Sequence, residues 1–292
     1  IGSIVFAGPE IGLHQVYLKD GGGAYLDASG ALVRRWEPNG RAVDWLFDLH
    51  HHLLNGETGE RVAGAAGLLA AVLILTGLIV WAPAWRSFRW SVIPVRDKRA
   101  AWLSAHRDLG VLVAPVALAL TLTGAALALP ELARPAAGVL TGAVTAAPKP
   151  PSPSADAAPR AVDWSAALAA AQARFPDATV RIAVWPKEPG APAQIRLRQP
   201  AEWHANGRTA VWVAPSGAVL QVVDAQGIGA DQRLLNAAWP LHAAKVGGPP
   251  WKVAAFLSGL GLAALSVWGG VAYARKLLAP PRARRGRDLR TA

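Results

Sequence analysis

Three stretches of the chain, Val62 to Ala84, Leu109 to Pro130 and Val253 to Ala274, run without a charged side chain. As helices, each is long enough to cross a hydrocarbon core of about 30 Å. A soluble fold buries one such helix readily but not three. The pattern therefore predicts membrane-spanning helices at 61–84, 109–130 and 253–274. The opening residues 1–7, IGSIVFA, are also apolar and read as the tail of a truncated first transmembrane helix, with a processed signal sequence as the alternative. The fold class expected is a multi-span α-helical membrane protein, three complete spans plus the truncated one, with a small extracytoplasmic α+β module.

Between the spans the pattern changes. Residues 8–60 read as a hairpin followed by a His-rich approach to the first complete span, 85–108 as a basic loop, and 131–159 as a Pro/Ala-rich linker. Residues 160–224 form the module. Its helix is expected over Val162–Phe175, with Asp163 as N-cap and Pro176 as terminator. Strands follow at Thr179–Trp185 and Gln194–Arg198, and Thr209–Val223 folds as a hairpin about the turn at 214–217. AYLDASGALV at 24–33 echoes VWVAPSGAVL at 211–220, as a degenerate repeat or as a hairpin recurring by chance. Residues 225–252 are a pre-span segment and 275–292 a basic tail.

Composition agrees with a membrane protein, at 52% hydrophobic and 17% charged residues. The absence of Cys removes disulfides, iron–sulfur clusters and thiolate chemistry. The net charge of +11 is not spread evenly. Arg86, Arg89, Arg96, Lys98, Arg99 and Arg107 crowd one loop, and Arg275, Lys276, Arg282, Arg284, Arg285, Arg287 and Arg290 follow the last span. The positive-inside rule puts both clusters in the cytoplasm, so 8–60 and 131–252 lie outside. Anionic lipid headgroups are sufficient partners for this charge, and nucleic acid is not required. Trp81, Trp85, Trp90, Trp239 and Trp251 stand near span ends as interface anchors.

The chemical signal lies in seven histidines. His50, His51 and His52 precede the first complete span in DLHHHLLNGETGE, His242 precedes the last in PLHAAKVGG, and His106 opens the middle span in SAHRDLG. A histidine at a membrane boundary is most often an interfacial polar residue. Opposed histidines on separate helices can instead hold a haem, with the small residues Gly64, Gly67, Gly77, Gly110, Gly124, Gly259, Gly261, Gly269 and Gly270 admitting the macrocycle or simply allowing close helix packing. Zinc is the competing reading of the His run, with His52 and Glu57 as a surface pair, although adjacent helical side chains diverge. The charge-free spans argue against an ion-coupled transporter. His14 has no assigned role, and His204 in EWHANG reads as exposed.

DLHHHLLNGETGE leading into a span ending LTGLIVWAP, AHRDLG leading into LALTLTGAALALP, and PLHAAKVGG before the last span together resemble the PepSY-associated transmembrane family. The resemblance covers nearly the whole chain. It implies a bacterial inner-membrane protein with a periplasmic module, of the kind that includes ferric-siderophore reductases. It further implies haem b, one or two per chain, with His50, His242 and His106 as axial ligands of haem iron. His50 and His242 would hold an outer haem. His106 would serve an inner one, whose second ligand, a histidine of the first helix, this chain lacks; either an N-terminal segment completes that site or the chain is not a two-haem protein. The implied function is haem-mediated electron transfer to a ferric siderophore or other iron(III) chelate from an unidentified donor, with Arg196, Arg198 and Arg208 attracting the anionic chelate or serving as solvated strand residues. A non-catalytic accessory protein that binds a protein or peptide through its module is the alternative.

Overall fold

In the computed structural model the described residues are 1–146, 148–152, 161–188 and 190–278. Most of the expected linker's Ser/Pro-rich end and the tail residues Arg282, Arg284, Arg285, Arg287 and Arg290 lie outside them.

Turn chemistry organises the sheet. Strands β1 (Ser3–Val5), β2 (His14–Tyr17), β3 (Gly23–Leu26) and β4 (Leu32–Trp36) form one antiparallel meander. A second comprises β5 (Thr179–Val184), β6 (Ala193–Arg198), β7 (Thr209–Val213) and β8 (Val219–Val223). They join where β1 pairs antiparallel with β5, giving the order β4-β3-β2-β1-β5-β6-β7-β8. The two echoed segments are the last hairpin of each meander, at opposite edges of the sheet.

This corrects the expectation for residues 1–7, which are not the end of a helix. Ile4 faces Val16 on one side and Ala183 on the other. A seven-residue apolar run has no periodicity that separates helix end from buried strand, and here partners on both sides satisfy its backbone. The module at 160–224 is accordingly one half of a larger sheet.

Helix α5 (Trp164–Arg174) starts as expected, Asp163 accepting the Ala166 N–H at 3.0 Å. It lays Ala167 and Ala171 onto Ile195, Leu197, Val211 and Val213, which are fully buried. Strand alternation turns Gln194 and Arg196 to the opposite face. Gly217, at φ 82°, lets the β7–β8 turn tuck under α5, where a Cβ would come within 2.6 Å of the Ala166 methyl.

The remaining helices are α1 (Ala42–His52), α2 (Gly56–Trp81), α3 (Arg99–Ala128), α4 (Pro130–Thr141), α6 (Ala230–His242) and α7 (Gly248–Leu277). A 3-10 turn, Ala82–Ser87, extends α2. Three helical stretches among the described residues, Gly56–Ser87, Arg99–Ala128 and Gly248–Leu277, are long and apolar enough to cross a membrane. They expose residues such as Ile79 and Val80, at 70% and 78%, which suits lipid as solvent. The chain is a multi-pass membrane protein. Each helix begins before its charge-free run, so 99–108 of the expected basic loop is helical. The expected linker opens as helix α4, because Pro130 sits in its first turn, where a missing N–H costs nothing. The pre-span segment contains α6.

Two compact units result, 1–69 with 120–252, and 70–119 with the described residues from 253 onward. In the first, α4 packs on α6 through Ala137, Gly138, Ala238 and Pro240. Asp231 clips the chain after α4 by accepting from the Thr145 N–H at 2.8 Å and its hydroxyl at 2.5 Å.

The central place of β1 is testable. Ile4→Pro removes a ladder N–H from a strand paired on both edges and leaves its acceptor unsatisfied, at a cost of about 1–3 kcal/mol. It should lower the unfolding midpoint of the sheet measured by tryptophan fluorescence, whereas an unchanged midpoint would place residues 1–7 outside the sheet.

Candidate functional site

The first unit brings two of the expected histidines close together. His50 lies on α1 and His242 is the last residue of α6. Their ring centres are 5.9 Å apart and their planes differ by 17°. Helix α1 is tied to the sheet at its start. The Arg41 guanidinium lies 4.0 Å from the Trp36 ring centre, donates to the Tyr25 hydroxyl at 2.8 Å and pairs with Asp44. Helix α6 is held at its end, where the Trp251 indole N–H donates to the Leu241 carbonyl at 2.9 Å and Lys245 pairs with Glu10.

His242 has a defined seat on α3. Its Nδ1 lies 2.9 Å from the Leu120 carbonyl and 3.4 Å from the Thr123 hydroxyl. A carbonyl only accepts, so this bond assigns the proton to Nδ1 and leaves the Nε2 lone pair free. Gly124 makes the approach possible, since a Cβ there would stand 2.7 Å from the ring Cε1. Burial lowers the His242 pKa, opposed by the Leu120 bond and reinforced by His50 and His51, so the ring stays neutral below the ordinary histidine range.

The second unit repeats this seat. His106, on α3, places Nδ1 3.0 Å from the Leu265 carbonyl of α7, and Gly269 is the residue against its ring, a Cβ there standing 3.3 Å from Cε1. The next two residues work locally. Asp108 is fully buried and accepts the Arg89 and Ser91 N–H groups, both at 3.0 Å, and the Arg107 guanidinium at 2.7 Å. Arg107 also reaches the Ser87 hydroxyl and carbonyl, at 3.0 and 2.8 Å. Together they hang the 87–91 loop on α3. His106 is the only histidine in this unit.

The spacing of His50 and His242 is compatible with one metal centre held between two imidazoles. Nitrogens about 2 Å from a shared ion put ring centres roughly 6 Å apart, His242 has the outer hydrogen bond that orients such ligands, and Gly124 keeps the seat clear. The expected His52–Glu57 pair does not form, because Arg61 holds Glu57 at 2.9 Å. His14 accepts the Ala7 N–H through Nδ1 at 3.1 Å and serves the sheet.

His204 departs from expectation. It is 7% exposed, its ring stacked on Trp239 at 4.3 Å, and its Nδ1 accepts the Asn206 N–H at 3.2 Å. Burial and the nearby Arg208, Arg196 and Arg198 push its pKa down to about 3. Arg196 and Arg208, but not Arg198, face a cavity of about 330 Å³ between the sheet and α6, lined also by Gln194, Trp212, Gln232 and Asn236. Burial lowers the Arg196 pKa to about 10 and lowers that of Arg208, whose buried Nε has no partner among the described residues. Glu202 supplies one counter-charge, already shared with the Thr209 hydroxyl at 2.7 Å.

The glycine seats carry a signal that the histidine pattern alone does not. Leu120–Gly124 reads LTLTG and Leu265–Gly269 reads LSVWG, each a leucine carbonyl four residues before a glycine, and Leu73–Gly77, LILTG, has the same spacing. Residues 9–276 match the family model described as the PepSY-associated TM region. Comparison with curated proteins gives no match.

Asp108→Ala leaves two backbone N–H groups and a guanidinium without their acceptor, at about 1–3 kcal/mol for each donor left unsatisfied. Limited trypsin digestion in detergent should then cut after Arg86 and Arg89 several times faster than in the unaltered protein. Equal rates would refute the role given to Asp108.

Proposed function

The chain belongs to the PepSY-associated transmembrane family, and from that premise we propose that it carries electrons across the bacterial inner membrane to a ferric siderophore, with haem b held by His50 and His242 on the periplasmic side. The observation that carries this reading is the near-parallel His50–His242 pair, with the Nδ1 of His242 committed to Leu120. Haem bound there supplies one-electron redox chemistry at the membrane boundary.

The chain's own residues have distinct tasks in this reading. His242, fixed in one tautomer, would offer Nε2 to the iron, and the hydrogen bond to Leu120 would raise its basicity. Gly124 keeps the α3 surface open beneath the ring. Arg196 and Arg208 give their cavity an excess of positive charge, which favours an anionic oxygen-donor chelate of iron(III). Reducing the iron to iron(II) weakens the hold of hard oxygen donors and releases the metal for uptake. His106 is the one imidazole of the second unit, so a haem there would take any second protein ligand from outside the histidines of that unit. The basic 85–98 loop faces the cytoplasm and its anionic lipid.

The test is an absorption spectrum of the detergent-purified full-length protein, oxidised and dithionite-reduced, with haem quantified per chain. Bound b-type haem is expected, with His50→Ala and His242→Ala each losing one haem per chain. The reduced protein should be reoxidised by a ferric siderophore, about tenfold more slowly at low salt in the double variant Arg196→Gln, Arg208→Gln. No haem after haem-replete expression would overturn the reading in favour of a non-catalytic accessory protein.

A further inference from the structure

His51 and His52 take no part in the site above, yet the chain is bent sharply to organise them. Helix α1 stops at His52 because Leu53 and Leu54 both adopt left-handed backbone, at φ 50° and 58°. Two successive non-glycine residues in that region are strained and persist only where their surroundings hold them. Here the Leu53 N–H bonds back to the Leu49 carbonyl at 3.1 Å and the Asn55 N–H to the His52 carbonyl at 2.9 Å. Helix α2 then starts at Gly56, itself at φ 52°. Gly59 sits so close under α1 that a Cβ would fall 1.5 Å from the His52 carbonyl oxygen. No other residue fits there, and the result is that the first turn of α2 folds back against the last turn of α1.

This elbow sets Glu60 beside the histidines. The Nε2 of His51 lies 3.6 Å from a Glu60 carboxylate oxygen, and the Nδ1 of His51 lies 2.8 Å from the Nε2 of His52. The Nδ1 of His52 is 2.7 Å from the Asp48 carboxylate one turn earlier. The His51 ring stacks on Phe47 with centres 5.3 Å apart. One ligand atom from each of His51, His52 and Glu60 lies within 4.8 Å of the other two.

We infer that His51, His52 and Glu60 bind a divalent transition-metal ion of the zinc class, with Asp48 orienting His52. Two imidazoles and a carboxylate form a ligand set suited to zinc, and modest side-chain rotations bring all three donors to about 2 Å from one ion. The carboxylate–histidine arrangement of Asp48 and His52 is the outer hydrogen bond that fixes a ligating imidazole. All three ligands are only half-buried, so the fourth position is open to water. An ion held there ties the end of α1 to the start of α2, independently of whether His50 holds haem.

The test uses full-length protein in detergent, its affinity tag removed and its metal stripped, titrated with zinc(II) against a chromophoric competitor while the haem spectrum is followed. One zinc per chain is expected at micromolar affinity or tighter. His51→Ala and His52→Ala should each weaken it at least tenfold, and the conservative Glu60→Gln and Asp48→Asn about tenfold, with haem content unchanged. These two conservative variants keep the test valid if an alanine variant fails to fold. Affinity weaker than about 100 μM, or binding that survives His51→Ala with His52→Ala and Glu60→Gln, would overturn the proposal.

Discussion

A helix carbonyl already bonded to the N–H four residues on keeps a second lone pair, and an imidazole that reaches it crowds any side chain on the residue at that next turn, so glycine there eases the approach. That constraint governs two imidazole seats, a half-buried one for His242 and an exposed one for His106. Leu120 and Gly124 receive His242, while Leu265 and Gly269 receive His106. Each bond commits Nδ1 and leaves Nε2 as the reactive atom. A metal-ligating role for these histidines depends on that division of labour between the two ring nitrogens.

The rest of the first unit delivers His50 to the seated His242. The first meander ends in Trp36, on which Arg41 rests, and Arg41 fixes the start of α1. At the other end, α4 and the Asp231–Thr145 clip hold α6, and Trp251 anchors the turn beyond it. The sheet's second face meanwhile concentrates positive charge. Arg196 and Arg208 are half-buried and Glu202 offsets one of their two charges, an arrangement that an anionic ligand would relieve.

Much of this was legible in the chain itself. Length and absence of charge located all three long helices, and Asp163, Pro176 and the 214–217 turn located α5 and the β7–β8 hairpin. The opposition of His50 and His242 followed from their places before two spans. The misses have physical causes. Ile4 is decided by long-range pairing with Val16 and Ala183, which no local period reveals. Pro130 and Pro135 disguised α4 as linker, and basic residues disguised the first turns of α3 as loop. Asp108 falls inside the expected basic loop by position, yet it organises residues 87–91 from within helix α3. Glu60 was passed over for Glu57 because the fold-back at Leu53, Leu54 and Gly59 depends on backbone angles rather than on sequence spacing.

The central claim is that His50 and His242 share one iron. Low-temperature electron paramagnetic resonance of the oxidised full-length protein tests it most directly, because the spin state and anisotropy report the axial ligands and the angle between their planes. Two imidazoles inclined by 17° predict a rhombic low-spin ferric signal that disappears in both His50→Ala and His242→Ala. A high-spin ferric signal in the unaltered protein, or a low-spin signal that survives either substitution, would contradict the account.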